Sequence, residues 1–180
     1  MKNIVVVFFT LVSLISMSQN PAAYKLVDGQ GNSVEWNSMV EKLIEADIVF
    51  FGELHNSAVA HWLQIELTKA LYENKQANLI LGAEMFESDN QLLIDEYFNG
   101  HIRTKDFENE ARLWDNYKTD YKPLLEFANA NSLKFIASNI PRRYAALVNK
   151  KDFTGLDSLS DEAKRYFAPL PIPFDPTVAC

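Results

Sequence analysis

Three continuous apolar runs, separated by stretches with helical spacing, constrain the fold of this chain most strongly. The runs are IVFF at 48–51, NLILGAEMF at 78–86 and LKFIASNI at 133–140. Between the first two runs, from 57 to 74, apolar residues recur every three or four positions, as they do on one face of a helix. Strands that lack polar alternation are typical of parallel sheets with both faces covered. The pattern therefore predicts an α/β domain with a mostly parallel β-sheet flanked by helices.

The remaining segments continue this alternation. Residues 23–33 predict a short strand that closes in a glycine-rich turn at 28–32. A helix is predicted to begin at Ser38, with Glu41 completing a capping box. Further helices are predicted at 90–98, 105–113, 120–129 with Pro123 in its first turn, 141–149, and 158–167 capped by Ser158 or Ser160.

The first 18 residues are predicted to be a secretory signal peptide. Lys2 precedes an apolar run from Ile4 to Ile15, which is followed by a Ser-Met-Ser cleavage site. The run is too short for a membrane-spanning helix, which needs about 20 residues. We expect residues 19–180 to form the mature α/β domain, exported to the periplasm or the cell envelope.

Composition and missing motifs exclude several classes of function. A net charge of -7 and a pI near 5.0, without a Lys/Arg cluster, argue against a nucleic-acid partner. The single cysteine, Cys180, excludes an internal disulfide framework and a CxxC motif. The chain has no serine nucleophile elbow, no GxGxxG and no P-loop, so acyl-serine, dinucleotide and nucleotide chemistry are poor interpretations.

Polar side chains come at the end of each predicted strand, with Glu53 and His55 after 48–51, Glu84 after 78–82 and Asn139 after 134–138. Because ligands bind beyond the carboxyl ends of parallel strands, these side chains are expected to share one pocket. Histidine and carboxylates suit a divalent metal or a base that activates water, and arginines at a helix start suit an anion. The predicted catalytic residues are Glu53, His55 and Glu84, with His55 and Glu84 as metal ligands, and the predicted ligand-binding residues are Asn139, Arg142 and Arg143.

Structural alternatives stay open for several of these residues. His55 could cap the following helix, although Asn56 or Ser57 is a better cap, and Asn139 could satisfy a turn. His61 and His101 are expected at the surface rather than in a site. The aromatic residues expected to pack in the core include Trp62, Trp114, Tyr117, Tyr121 and Tyr144.

Four motifs carry a resemblance to a known family. FGELHNS, LGAEMF, LWDNYKTDYKPLLEFA and FIASNIPRRYA occur in this order between about residues 38 and 176. They resemble the ChaN family of haem-binding uptake proteins, within the Tiki/erythromycin-esterase-like superfamily. The resemblance implies an α/β fold, haem as the ligand, a role in iron or haem acquisition, and export. In enzymatic relatives of this family, a Gly-x-x-His motif and a later Glu form the catalytic or metal centre. The matching residues here are Gly52, His55 and Glu84.

Two features depart from the family pattern. No second Gly-x-x-His follows Gly155, and the chain closes on the proline-punctuated stretch APLPIPFDPTVAC. We therefore expect a C-terminally truncated domain. The resemblance would suggest a lipoprotein, but no lipobox cysteine follows the apolar run, so an unlipidated exported protein is expected.

Two functions compete on these residues. The first is an exported haem-binding protein of iron or haem acquisition. The alternative is a metal-dependent hydrolase, an esterase or peptidase, that uses the Gly-x-x-His and Glu site with a divalent metal. The expected partners are haem or another small molecule and cell-envelope uptake components, and a homodimer is a further candidate.

Overall fold

The computed structural model of the chain describes residues 23–173, 175 and 177, so the predicted signal peptide lies outside the described residues. Ten α-helices and β-strands lie in this part of the chain. A π-helical turn, Tyr117–Tyr121, leads into α5. None of the described helices combines the length and the apolar character needed to cross a bilayer. The elements are α1 (Trp36–Ile44), α2 (Ala58–Lys75), β1 (Ile80–Glu87), α3 (Gln91–Phe98), α4 (Thr104–Glu110), α5 (Lys122–Ala130), β2 (Lys134–Asn139), α6 (Arg142–Lys151), α7 (Thr154–Asp157) and α8 (Asp161–Lys164).

The two strands confirm the predicted parallel sheet with flanking helices. β1 and β2 pair in parallel, with Ile80 opposite Lys134 and Ala83 opposite Ala137. The register is irregular after Ala83 and resumes with Glu87 opposite Asn139. The carboxyl ends of both strands therefore lie at the same edge of the sheet, which is the edge where α/β proteins bind ligands.

Burial along the strands alternates, so the prediction that both strand faces are buried is wrong within the described residues. In β2, Phe135 and Ala137 are buried while Ser138 is exposed. In β1, Ile80 and Glu84 are exposed. The alternation arises because the helices of the described part cover one face of the strand pair more fully than the other.

The main core lies on the covered face. Phe86 of β1 contacts Phe135 of β2 edge-on, with ring centroids 5.6 Å apart. Phe107 of α4 and Leu125 of α5 are fully buried in the same cluster. Burial of each such side chain stabilises the fold by about 1.5–3 kcal/mol. The predicted burial of Tyr117, Tyr121 and Tyr144 is confirmed.

A second, smaller core joins α1 to α2. Val40 packs there with Leu67 and Leu71. Trp62 lies on α2 with 46% of its surface exposed, so its predicted place in the core is wrong. Leu67 and Leu71 of the same helix are buried in this core, whereas Trp62 contacts Tyr24 outside it.

The two N-terminal helices begin differently from each other. Ser57 caps α2, since its Oγ accepts a hydrogen bond from the Ala60 N–H at 3.3 Å. Ser57 rather than His55 is therefore the cap. The predicted capping box of Ser38 and Glu41 is wrong, because α1 already begins at Trp36 and has no side-chain cap.

The predicted strand at 48–51 is also wrong. The segment is extended but joins no ladder, and among the described residues β1 and β2 pair with each other alone. Val49 packs against the smaller core, while its neighbours point outward, and Phe50 is 93% exposed. Apolar sequence alone does not make a strand, because the backbone groups also need a neighbouring strand. The exposed side chains of this stretch, here called the apolar ridge, are Ile48, Phe50, Phe51 and Leu54.

Shorter features agree with the sequence in part. The turn at 28–32 is confirmed, with Asp28 Oδ1 accepting from the Gln30 and Asn32 amides at 2.9 Å each. The strand predicted around that turn is reduced to one bridge, between Val27 and Ser33. Pro123 lies in the first turn of α5. The helix predicted at 158–167 is shorter, because α8 ends at Lys164, and its cap is Ser160.

Candidate functional site

The candidate site is a polar network around the carboxylate of Glu53. Glu53 follows the extended segment 48–51 and precedes α2, and its side chain is only 13% exposed. Its neighbours come from the loop itself, from the first turns of α2 and from the π-helical turn before α5. A carboxylate with so little exposure is stable only when it is hydrogen-bonded or paired with charge.

Four side chains meet this carboxylate. Oε1 accepts hydrogen bonds from His55 Nδ1 at 3.1 Å and from the Tyr121 hydroxyl. Oε2 accepts from Gln64 Nε2 and lies 3.3 Å from His61 Nδ1. Glu53 therefore organises groups from three segments, and its burial is fully compensated by donors.

His61 belongs to the network, and its predicted surface position is wrong. The residue is 5% exposed, and its Nε2 lies 3.1 Å from the backbone oxygen of His55. Asn116 Nδ2 donates to the same oxygen at 2.6 Å and to Asp120 Oδ2 at 2.8 Å. The sequence does contain one sign of this cluster: Gln64 follows His61 by three residues, so the two polar side chains lie on the same face of a helix.

Oxygen acceptors lie beside both ring nitrogens of His61. Nδ1 faces Gln64 Oε1 at 3.2 Å and Glu53 Oε2, while Nε2 faces the His55 carbonyl. All three neighbours are oxygen acceptors, so the ring lies between hydrogen-bond acceptors on both sides. Asp120 Oδ2, 3.9 Å from Nε2, adds a second negative charge nearby.

Ionisation of Glu53 and Tyr121 is shifted in opposite directions. Burial raises the pKa of Glu53, but hydrogen bonds from Tyr121, His55 and Gln64 and the charge of His61 outweigh burial, so the pKa is lowered. Burial, followed by the hydrogen bond to Glu53, raises the pKa of the Tyr121 phenol well above its ordinary value. The network at neutral pH is therefore an ionised carboxylate held by a neutral phenol.

His55 is the exposed member of the network. Its side chain is 58% exposed and its ring lies edge-on to Trp114, with centroids 4.7 Å apart. Nδ1 donates to Glu53, whereas Nε2 has no hydrogen-bond partner among the described residues. An imidazole oriented by a carboxylate, with its second nitrogen open, can act as a general base or as a ligand.

The other predicted site residues lie at or near the carboxyl edge of the sheet. Glu84 is exposed on β1 rather than buried between its apolar neighbours, and its charge is among those that raise the pKa of Tyr121. Asn139 ends β2, opposite Glu87. The structure thus joins Glu53 to His55 directly and brings Glu84 within electrostatic range of their network.

The predicted anion-binding arginines have different environments. Arg143 pairs with one oxygen of Asp89, and Arg112 pairs with the other. Arg112 Nε also donates to Glu87 Oε2 at 3.0 Å, so two arginines balance two carboxylates. Arg142 is exposed and makes no ion pair within the described part of the chain. Of the two arginines predicted to bind an anion, Arg142 is therefore the one whose charge is not already paired with a carboxylate among the described residues.

The metal interpretation gains no structural support. Over residues 23–173, 175 and 177, no group of three or more His, Cys, Asp or Glu side chains is arranged to hold a metal ion. The metal role of His55 and Glu84 stays a prediction. Sequence reasoning had placed His61 at the surface and Tyr121 in the core as packing, although both contact Glu53.

Comparisons with known proteins agree with the fold and the motifs. The family model described as haem-binding uptake, Tiki superfamily, ChaN matches residues 39–179. The solved structure of ChaN from Campylobacter jejuni, which records cofacial haem binding, is similar at a TM-score of 0.54 and 21% identity. That match covers 67% of this chain and 50% of the other, so the chain spans half the length of this solved relative. No curated protein matches the chain. With a family match over most of its length, the chain belongs to the ChaN family of haem-binding uptake proteins in the Tiki superfamily.

Proposed function

We propose that this chain binds haem and serves haem or iron acquisition. Its family supports the proposal, as does the haem recorded in the similar Campylobacter jejuni structure. The single structural observation that carries it is the apolar ridge, which exposes large side chains immediately before His55. Soluble proteins seldom expose contiguous apolar surface unless it binds something.

The ridge and other exposed side chains of the chain suit the chemistry of haem. A porphyrin is a broad apolar disc that ends in two carboxylates, so it needs apolar contacts and cationic partners. Phe50 and Leu54 supply exposed apolar surface, and Trp114 lies against the His55 ring. Arg142 is free to pair with a propionate. When bound, haem would supply an iron centre, and the open Nε2 of His55 would face the ligand from the end of the ridge.

A titration of the purified full-length chain with haemin tests this proposal. We expect a Soret shift that saturates at a fixed ratio. Phe50→Ser should weaken the shift, because Phe50 is exposed and its loss leaves the core intact. Leu92→Ser is the matched control, since Leu92 is 66% exposed on α3, outside the ridge. A wild-type spectrum that never saturates, or equal effects of both substitutions, would count against the ridge as the haem surface.

The location and partners of the protein form part of the same proposal. Export rests on the signal-like sequence of residues 1–18, and the family's role in uptake supports a place in the periplasm or cell envelope. Cell-envelope uptake components and a second copy of the chain are the partners we propose. Fractionation of cells that express the natural gene, followed by sizing of the purified protein with and without haemin, tests both points.

A hydrolase is the second candidate, and the Glu53–His55 contact favours it. A carboxylate that orients Nδ1 leaves Nε2 free to take a proton from water, which is how a general base acts. The attack would then fall on an ester or peptide carbonyl, with or without a divalent cation at His55 and Glu84.

Turnover of p-nitrophenyl esters and of short peptides, with and without added Zn²⁺ or Mg²⁺, tests the hydrolase candidate. We expect any activity to fall by 100-fold or more in His55→Ala, in line with the usual contribution of a general base. Activity that survives in His55→Ala would assign it to another group or to a contaminant.

A further inference from the structure

A cavity separate from the Glu53 network lies between α1, α2 and the segment at Tyr24. Its volume is about 640 Å³, within the range of sites that hold small molecules. None of the residues that contact Glu53 lines it. The cavity is therefore lined by a set of residues distinct from the Glu53 network.

Aromatic side chains form much of the cavity wall. Tyr24 lies against Trp62, with ring centroids 5.7 Å apart and planes tilted by 59°. Trp36, the first residue of α1, also lines the space. Trp62 keeps nearly half of its surface exposed at this position, which is costly for so large an apolar side chain. Open faces of Trp and Tyr attract cations through the charge distribution of their rings.

The polar part of the wall is acidic. Glu41 of α1 and Glu66 and Glu73 of α2 line the cavity, with Lys69 as its one cation among the lining residues. Lys69 Nζ already donates to Glu66 Oε1 at 2.7 Å, which shows that an ammonium fits against this wall. The side chains of Glu41 and Glu73 make no ion pair or hydrogen bond in the described part of the chain. The lining keeps two net negative charges beside open aromatic rings.

We propose that this cavity binds a linear aliphatic polyamine. Glu66 and Glu73 are seven residues apart on α2, so their Cα atoms are separated by about 10 Å along the helix axis. The terminal ammonium groups of an extended triamine span a similar distance, with methylene chains between them. Those methylenes match the apolar lining residues of α2, Leu63 and Ala70, while an ammonium lies near Trp62. A compact inorganic cation would leave the aromatic wall unused.

Titration of the full-length chain with spermidine at low and at physiological salt tests the proposal. Intrinsic tryptophan fluorescence and calorimetry report binding directly, and we expect one saturable site. Trp62→Leu should raise Kd about two- to fivefold, the range of an exposed cation–π contact. The double variant Glu41→Gln/Glu73→Gln should raise Kd about tenfold or more, because both unpaired carboxylates are lost. All three positions are exposed, so the variants should keep the fold, which circular dichroism checks.

Two controls distinguish specific binding of the polyamine in the cavity from nonspecific attraction of cations to an acidic protein. Glu110→Gln removes an exposed, unpaired carboxylate of α4 outside the cavity and should leave Kd unchanged. Mg²⁺ at equal charge concentration should not reproduce the fluorescence change. Absence of saturable binding, an equal effect of Glu110→Gln and the cavity variants, or full reproduction by Mg²⁺ would each overturn the polyamine site.

Discussion

The imidazole Nδ1 of His55 lies 3.1 Å from Oε1 of Glu53, which joins the exposed end of the site to its buried carboxylate. Glu53 is in turn held by Tyr121 and Gln64. The two residues therefore differ in what they do: Glu53 supports the surrounding structure, while His55 faces solvent. Substitutions should separate these roles.

His55→Ala should leave stability nearly unchanged, within about 1 kcal/mol, because the ring is mostly exposed and its contact with Glu53 is a partly solvated pair. Ligand binding or hydrolysis should nevertheless weaken. Thermal melts at pH 7, paired with the haemin titration, measure both effects. A loss of several degrees with ligand binding intact would show that His55 is structural.

Glu53→Gln should destabilise the protein by roughly 1–3 kcal/mol, because the charge that satisfies His61 and Tyr121 is removed. Glu84→Gln is the matched control, since Glu84 is exposed, and it should change stability by less than about 0.5 kcal/mol. Urea unfolding gives both values. Equal effects of the two substitutions would contradict the supporting role of Glu53.

The lowered pKa of Glu53 should make the stability of the protein depend on pH in the acidic range. The ordinary value is 4.5 and the folded value lies below it, so the folded state binds this proton more weakly than the unfolded state does. The resulting stabilisation is present above pH 4.5 and is lost as the pH falls through the folded pKa. The stability difference between wild type and Glu53→Gln should therefore shrink as the pH falls below 4.5. A difference that stays constant down to pH 2 would argue against the lowered pKa.

Tyr121→Phe should cost about 1.5–3 kcal/mol, the range for a hydrogen bond to a charged group. The phenyl ring would still pack against His61, at a centroid distance of 4.6 Å. Tyr144→Phe serves as the comparison, because among the described residues the Tyr144 hydroxyl accepts a single 3.3 Å bond, from Arg143, and its cost should be smaller. Because the folded pKa of Tyr121 is raised, its contribution is complete below pH 10 and should fade as the pH rises through the folded value. Unfolding curves at pH 7 and above pH 10 measure both parts.

We expect signal peptidase to cleave the chain so that the mature protein begins near Gln19. The small residues Ser16 and Ser18 follow an apolar run of the length that signal peptidase substrates have. Intact mass of the protein recovered from a periplasmic or secreted fraction gives the N-terminus directly. Recovery of a chain that retains Met1 would refute the cleavage prediction.

Local sequence patterns were enough to predict much of the fold. Periodicity placed α2 and α5, and the apolar runs at 78–86 and 133–140 correspond to β1 and β2. Those features depend on neighbours within a few residues, which the sequence displays directly. The same reasoning found Glu53 and His55, because polar residues that follow an apolar run stand out.

Tertiary structure alone decided which of these residues meet and which face solvent. The hydrogen bond from Tyr121 to Glu53 joins residues 68 positions apart, and no local pattern marks such a pair. The sequence predicts His61 at the surface, whereas in the structure its side chain faces Glu53 from α2. The sequence also predicts a strand at 48–51, but this segment pairs with no other described strand. Burial and strand pairing depend on what the rest of the chain brings alongside, so the sequence determined the local conformation and long-range packing decided the site.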